Sequence, residues 1–395
     1  MIIRETYLDL LRNSKDRQIV KVITGIRRCG KSTVLELFQK ELKEEGISDD
    51  RIISVNFEDP DFDHLKTYKA LYNYISSKLQ AGKMNYIFLD EIGLVDEWQK
   101  CVDGLFIKKN CDIYITGSNS YMLSSELATL ISGRYIEIEM LPLSFSEYIS
   151  YVGENDILKK YRTYLENSSF PYLVDIKDRK QIRAYLDGIY STVLLNDVVA
   201  RKKITNASVL KDVTKFMFDN IANITSANKI TNTLNSHSRK ISLPTVETYI
   251  EALCDCFMLY RVGRYDIKGK QHLKTGDKYY LADVGLRTYL LGRNSVDMSK
   301  ALENVVYLEL LRRGYEVYVG KIGDNEVDFI AIGDEGTEYY QVSVTTRDKS
   351  TLERELRPLD LITDHNGKYL LTLDEDPLTS YNGIKKINAL EWLLK

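Results

Sequence analysis

The 395-residue chain has few of the residues that form disulfide frameworks or structural metal sites. Its five cysteines are scattered and odd in number, they form no C-x-x-C pair, and its four histidines lie far from them in sequence. This pattern excludes a cysteine–histidine zinc site and fits a reducing compartment. We therefore expect a cytoplasmic protein.

Long apolar runs and a large excess of one charge are also missing. No apolar run approaches the ~18 residues that a membrane-spanning helix needs, and the N-terminal residues lack the apolar core of a signal peptide. We therefore expect no membrane partner. Because the net charge is only −3, the chain as a whole is no polycation, and any contact with nucleic acid has to be local.

One stretch near the N-terminus carries a phosphate-binding pattern. Residues 25–32, GIRRCGKS, fit G-x-x-x-x-G-K-[ST] between an apolar strand (19–24) and a helical pattern (32–43). The glycines let backbone N–H groups point at phosphate oxygens, Lys31 would reach the β- and γ-phosphates, and Ser32 would supply a hydroxyl to Mg²⁺. The pattern predicts ATP and Mg²⁺ as cofactors, with nucleotide contacts from Gly25, Arg28, Cys29, Gly30, Lys31, Ser32 and Thr33.

A second feature is the apolar strand 85–89, which runs into two carboxylates, Asp90 and Glu91. In ATP hydrolysis one carboxylate holds the metal and another orients the attacking water. We assign Asp90 to Mg²⁺ and Glu91, with Lys31, to catalysis. An acidic pair at a strand end is also common as a simple helix cap.

Two further polar positions are candidates for the reaction. The strand 112–117 ends in Ser118 and Asn119, and Asn119 could sense the γ-phosphate if this strand neighbours both motif-bearing strands. The alternative is a turn that caps the next helix. Arg134 is a candidate arginine finger acting on a neighbouring subunit, which implies a homo-oligomer; the alternative is a surface arginine paired with Glu137 or Glu139.

Strands that alternate with helices predict a parallel sheet covered on both faces, with ligands at the carboxyl ends of the strands. The glycine loop, Asp90–Glu91 and Ser118–Asn119 all follow such ends. We assign residues 1–165 to an α/β P-loop NTPase domain.

The N-terminal part of the chain contains VITGIRRCGKST, YIFLDEI, TGSNS and SGRY…LPLSFSEY, and the C-terminal part contains EVDFIAI…YYQVSVT…RELRPL. These motifs resemble those of a prokaryotic family of AAA+-like ATPases that end in a domain of uncharacterised function. The resemblance extends through the whole chain. It implies ATP binding by an AAA+-like domain and leaves the cellular task undefined.

Residues 166–290 read as a helical region that contains a winged helix-turn-helix. Helical patterns cover 179–200, 208–222 and a short segment from 226, and a helix over 245–260 precedes two strand-like segments, 258–265 and 278–283. A basic loop over 266–277 separates those strands. In a complex with DNA, Thr245, Glu247 and Thr248 would lie in a groove of the duplex. A basic wing would contact the phosphates. The wing consists of Arg261, Arg264, Lys268, Lys270, Lys274 and Lys278, with Arg239 and Lys240 beside it. The alternative is a packing module whose lysines are solvated.

Residues 291–395 show the order helix, three strands, helix, strand, which resembles the PD-(D/E)xK nuclease core, a restriction-endonuclease-like α/β domain. That chemistry needs two acids that hold Mg²⁺ and a lysine that activates water. Asp328 fits the first acid, but Gln341 and Ser343 occupy the other two positions. We therefore expect a domain that does not cleave nucleic acid.

The sequence as a whole predicts an ATPase that is coupled to double-stranded DNA through its C-terminal half. One alternative is a switch that binds ATP and a protein partner. Another is an ATP-gated nuclease, which Gln341 and Ser343 disfavour.

Overall fold

The computed structural model describes residues 2–120, 133–200, 204, 206–236, 241–292 and 297–395, without the side chains of 195, 196, 200, 274 and 275. The described chain forms two compact units. The first contains Met1–Pro142 and Asp255–Phe257, and the second contains Leu143–Cys254 and Met258–Lys395. The domain boundaries expected after residues 165 and 290 both fall inside the second unit.

The first unit is a parallel α/β sheet, as the alternating pattern predicts. Its described helices and strands are α1 (Glu5–Ser14), β1 (Val20–Thr24), α2 (Lys31–Glu44), β2 (Ile52–Asn56), α3 (Tyr68–Lys78), β3 (Asn85–Asp90), α4 (Trp98–Phe106), β4 (Cys111–Gly117) and β5 (Tyr135–Glu139). The strand order is β2-β3-β4-β1-β5, and every pair is parallel. All residues of β1, β3 and β4 are buried, which explains why these strands are nearly continuous apolar runs.

The second unit begins with helices. Those described are α5 (Phe145–Val152), α6 (Ile157–Asn167), α7 (Arg179–Thr192), which continues as a π-helical segment to Ala200, α8 (Ala207–Asp219), α9 (Ala227–Ser236) and α10 (Leu243–Asp255). Strands and helices follow within the described residues: β6 (Leu259–Asp266), β7 (Gln271–Leu281), α11 (Val284–Leu291), α12 (Met298–Arg312), β8 (Glu316–Ile322), β9 (Asn325–Gly333), β10 (Gly336–Ser343), α13 (Lys349–Asp360), β11 (Gly367–Thr372), β12 (Thr379–Tyr381), β13 (Ile384–Asn388) and α14 (Ala389–Leu393).

One eight-stranded sheet joins the strands of the second unit, in the order β12-β13-β11-β10-β9-β8-β6-β7. The helix, three strands, helix and strand expected after residue 291 are present as α12, β8–β10, α13 and β11. The hairpin β6–β7 belongs to the same sheet because β6 pairs in parallel with β8, Arg264 beside Val319. The residues expected to form a separate wing are therefore part of the C-terminal sheet.

Two expected boundaries in this region are wrong. The helix predicted to reach residue 260 ends at Asp255, and the loop predicted over 266–277 is mostly strand, since β7 begins at Gln271. The polar residues at the start of β7 extend the ladder by pairing with β6, Gln271 opposite Asp266 and His272 opposite Tyr265. Pairing with a distant segment here overrides the local polar composition.

No helix within the described ranges is long and apolar enough to cross a membrane.

A buried ion pair joins two adjacent inner strands of the first unit. Lys21 of β1 donates to Asp112 of β4, and both side chains are almost inaccessible to solvent. Asp112 also accepts the hydroxyl of Tyr114 and the backbone N–H of Asp16, each at 2.8 Å. The pair satisfies both charges inside the sheet.

Removing the lysine of this pair should destabilise the protein strongly. We expect Lys21→Met to lower the free energy of unfolding by about 3–5 kcal/mol, because Asp112 would keep a buried charge without a counter-ion. Lys40→Met is the control, since Lys40 is exposed and lies 3.7 Å from Glu44, and it should cost at most ~0.5 kcal/mol. Urea denaturation compares them; equal effects would contradict the prediction.

Candidate nucleotide-binding site

The glycine loop follows β1 and ends at the first turn of α2. Gly25 has φ +137° and Gly30 has φ +109°, a region of backbone conformation that favours glycine. A Cβ on Gly25 would lie 2.1 Å from the carbonyl oxygen of Met140, the residue that follows β5. The first glycine of the pattern is therefore required by a close approach of two main chains.

Lys31 is the first residue of α2, and its side chain is buried. Its Nζ donates to the carbonyl oxygens of Gly25 (2.9 Å) and Ile26 (3.3 Å), and it lies 3.7 Å from Oε1 of Glu91. The ammonium group is thus enclosed by the loop, with neutral carbonyls at hydrogen-bond distance and a carboxylate farther away.

The two predicted acids lie where β3 ends, beside β4. The hydroxyl of Thr116 on β4 donates to Asp90 and accepts the backbone N–H of Glu91 (2.8 Å). Ser118 donates to Oε2 of Glu91 at 3.2 Å. Glu91 gives no capping hydrogen bond to the turn Ile92–Leu94 that follows it. Its carboxylate is therefore oriented by β4 and not used as a helix cap.

The strand β4 lies between β1 and β3, as the role proposed for Asn119 requires. Asn119 is buried just beyond the end of β4. The helix that it would cap in the alternative interpretation falls outside the described residues. The backbone N–H of Ser120 donates to the carbonyl oxygen of Asp255 at 2.7 Å, so this loop contacts the three-residue segment 255–257 that belongs to the first unit.

The other predicted nucleotide contacts differ in exposure. Arg28 is exposed and has φ +67°, whereas Ser32 and Thr33 are half-buried in the first turn of α2. Cys29 is buried, and its burial raises the pKa of the thiol above its ordinary value. Arg27, which no spacing rule assigns, pairs with Glu58 at 2.8 Å.

Arg134 lies far from this group within its own chain. It precedes β5, and its carbonyl oxygen accepts the N–H of Val20, at the amino end of β1, whereas the glycine loop follows the carboxyl end. Its guanidinium pairs with Asp103 at 2.6 Å, a different acid from the Glu137 and Glu139 expected from the sequence. Glu137 instead accepts the hydroxyl of Thr24.

The sequence motifs do not identify two residues that hold the glycine loop in place, Arg4 just before α1 and Tyr7 within it. Arg4 is buried and donates to the carbonyl oxygens of Cys29 (3.1 Å) and Leu141 (3.0 Å), and Tyr7 accepts the N–H of Leu141 (3.0 Å). These contacts connect the glycine loop to the chain that leaves β5. No motif marks them, because the partners are 25 and 137 residues from Arg4 in the sequence.

Comparison with known proteins agrees with this geometry. Residues 17–149 match the family model of an AAA domain, and residues 158–297 match that of a domain of unknown function, DUF8612. An uncharacterized protein of Haemophilus influenzae is 37% identical over 400 residues, which cover 100% of this chain and 99% of that protein. The chain belongs to the same family as that protein.

Two further similarities extend the comparison. An uncharacterized protein of Methanocaldococcus jannaschii is 30% identical over 381 residues, which cover 90% of this chain and 82% of that protein. The structure of a Walker-type ATPase of Pyrococcus abyssi aligns with a TM-score of 0.52 at 17% identity, covering 74% of this chain and 96% of that chain. The AAA match and the parallel five-stranded sheet identify an ATPase-like P-loop NTPase domain in this family member.

The basic residues predicted to face DNA are only partly exposed in the second unit. Lys268 and Lys270 are exposed at the turn of the β6–β7 hairpin, and Arg261 is exposed but pairs with Asp277 at 2.6 Å. Arg264 is half-buried. Lys278 is buried, so its expected place on a basic surface is wrong. The side chain of Lys274 and the residues Arg239 and Lys240 fall outside the described structure.

Two of the three residues expected at a degraded nuclease centre, Asp328 and Gln341, are in contact. The backbone N–H of Asp328 on β9 donates to Oε1 of Gln341 on β10 (3.3 Å), and Asp328 accepts the N–H of Val342 (2.9 Å). Ser343, at the end of β10, donates its hydroxyl to the carbonyl oxygen of Thr345 at 3.2 Å. These side chains are engaged within the protein.

The close approach at Gly25 gives a prediction for nucleotide binding. Gly25→Ala should abolish ATP binding, because the new Cβ would overlap the Met140 carbonyl and displace the loop. Gly46→Ala is a matched control, since Gly46 also has a positive φ, +90°, but no atom lies within 4 Å of its added Cβ. Fluorescent-nucleotide titration should show normal affinity for Gly46→Ala. Normal affinity for Gly25→Ala would contradict the prediction.

Proposed function

We propose that the protein binds ATP with Mg²⁺ at the glycine loop and hydrolyses it to ADP and phosphate, in a manner coupled to DNA binding by its C-terminal half. One observation carries the ATPase proposal. The loop lysine, both acids of β3 and the polar end of β4 lie at the carboxyl ends of three adjacent strands, where parallel sheets bind ligands.

The contacts of Lys31 support a phosphate ligand. Its hydrogen-bond partners are the neutral carbonyls of Gly25 and Ile26, and the nearest carboxylate oxygen, on Glu91, lies 3.7 Å away. An anionic phosphate would offer this ammonium a stronger, charge-assisted bond than a carbonyl does. Lys31 would therefore bind the β- and γ-phosphates, beside the N-terminus of α2.

The oxygen donors near the loop fit Mg²⁺. This ion usually takes one or two protein ligands and completes its shell with phosphate and water. Ser32 and Asp90 would supply a hydroxyl and a carboxylate, and Thr116 fixes the orientation of Asp90 by donating to it. When bound, Mg²⁺ would neutralise charge on the phosphates.

Glu91 would orient the attacking water. Its N–H bonds Thr116 and its Oε2 accepts from Ser118, so the strand next to it fixes the direction of the carboxylate. Asn119, beyond the same strand, would contact the γ-phosphate. Arg134 would act only on a neighbouring subunit in a homo-oligomer, because it lies beside the opposite end of β1.

The segment 255–257 supports coupling to the C-terminal half. Asp255 accepts the N–H of Ser120, the residue after Asn119, and both belong to the first unit. Asp255 is also the last residue of α10, and β6 begins at Leu259. A shift of the loop after β4 on hydrolysis would therefore be passed through the chain to α10 and to the β6–β7 hairpin.

A protein-binding ATP switch is the second candidate, and the surface of α10 favours it. The residues expected to enter the DNA groove include Glu247, and Glu251 lies one turn later; both are exposed. Two carboxylates on the face that would meet DNA would repel the negatively charged phosphates. In this alternative the exposed acids of α10 would bind a basic protein surface.

The coupled ATPase can be tested by turnover. We expect purified protein with Mg²⁺ to release phosphate from ATP and duplex DNA to raise the rate. Lys31→Ala should lower the rate by about 100-fold or more, because it removes a charge positioned at the phosphates. Lys43→Ala is the control, since Lys43 lies at the far end of α2 and pairs with Asp49 at the surface. ATP binding with negligible turnover, with or without DNA, would favour the switch.

The DNA interface can be tested by salt dependence. Replacing Lys268 and Lys270 by alanine should weaken duplex binding and reduce the slope of log K against log salt by about 2, since two phosphate contacts are lost. The control replaces two other exposed lysines of the second unit, Lys159 and Lys349, and keeps the same change in net charge. Equal slopes for both double variants would contradict a hairpin interface.

A further inference from the structure

A buried cluster in the second unit surrounds one lysine with three carboxylates. The Nζ of Lys278, on β7, lies 2.8 Å from Glu303 of α12 and 2.7 Å from Glu326 of β9. Asp328, also on β9, lies 3.5 Å from the same nitrogen. Only 3% of the lysine side chain is exposed. The ammonium group is therefore enclosed by acids from two elements.

This cluster contains the acid that the sequence assigns to a nuclease metal site. Asp328 occupies the first metal-ligand position of that pattern, and Glu303 lies on the helix that precedes the three strands. The lysine comes from β7, outside the predicted nuclease-like segment. The sequence pattern misses it because β7 precedes that segment and joins its sheet through β6, which pairs with both β7 and β8.

The remaining bonds of the cluster are directed inside the protein. Glu303 also accepts the hydroxyl of Tyr280 at 2.7 Å, on the same oxygen that Lys278 contacts. Asp328 accepts the N–H of Val342, and the amide nitrogen of Gln341 donates to Glu355 at 2.9 Å. One oxygen of Glu303 and one oxygen of Asp328 are thus each bonded to donors of the chain.

The electrostatics agree with a permanent internal cation. Burial, and after it the nearby Glu303, raise the pKa of Asp328 above its ordinary value, and Lys278 opposes that increase. Burial acts to lower the pKa of Lys278, but Glu303, Asp328 and Glu326 outweigh it and raise the pKa above its ordinary value. The lysine remains charged because the acids around it are held close.

We propose that the ammonium of Lys278 takes the place of a divalent metal ion among Glu303, Glu326 and Asp328, so that this centre binds no catalytic metal and ties β7 to α12 and β9. The acids then serve to anchor the β6–β7 hairpin to the sheet. The inference does not depend on ATP hydrolysis, since every residue in it lies in the second unit.

Divalent-cation binding tests the proposal directly. Mn²⁺ is titrated into the full-length chain without nucleotide, and free Mn²⁺ is measured by electron paramagnetic resonance. Lys278→Met should gain one site that binds at least tenfold tighter than any site of the wild type. Lys278→Arg keeps a cation in the cluster and should gain none. Adding Glu303→Gln to Lys278→Met should remove the new site.

A second test uses the wild type and Asp328→Asn, and it does not require Lys278→Met to fold. Asp328→Asn should leave the Mn²⁺ titration of the wild type unchanged, and neither protein should nick plasmid DNA with Mg²⁺ or Mn²⁺. A wild-type Mn²⁺ site that Asp328→Asn removes, or nicking that it abolishes, would overturn the proposal. So would a folded Lys278→Met, verified by circular dichroism, that gains no site.

Discussion

The nucleotide site depends on how closely the main chain of Gly25 approaches the carbonyl of Met140. No Cβ fits between them, so the loop that follows β1 and the chain that leaves β5 are packed backbone to backbone. Arg4 strengthens the same junction by bonding carbonyl oxygens on both sides, those of Cys29 and Leu141. The loop is thus preorganised by its neighbours, and the orientation of its N–H groups follows from packing as well as from glycine content.

Buried lysines show how the protein uses charge in its interior. Three of these lysines lie at hydrogen-bond distance from carboxylates: Lys21 from Asp112, Lys278 from Glu303 and Lys386 from Asp374. Their charges are therefore satisfied within the fold. Lys31 differs, because its close partners are main-chain carbonyls. A buried cation whose nearest carboxylate lies beyond hydrogen-bond distance is the one best suited to an anionic ligand.

Local patterns predict the parallel sheet of the first unit, but they do not predict the boundary of that unit or parts of the second. The buried strands β1, β3 and β4 are apolar runs, and their order along the chain with intervening helices predicts a parallel sheet. Arg4, the extent of β7 and the location of Lys278 depend on partners far away in the sequence, so composition gives no signal for them. The hairpin β6–β7 looks like an independent wing in sequence, yet its pairing with β8 makes it part of the C-terminal sheet.

In the reaction proposed above, Glu91 would position water for hydrolysis, while Lys31 and the loop would bind the nucleotide. Parallel measurements of ATP affinity and of single-turnover hydrolysis on wild type and Glu91→Gln test it most directly, because glutamine keeps the size of the side chain and loses its charge. We expect Glu91→Gln to bind ATP as tightly as the wild type or more tightly, and to hydrolyse it about 100-fold more slowly or worse. Hydrolysis at the wild-type rate by Glu91→Gln would contradict it.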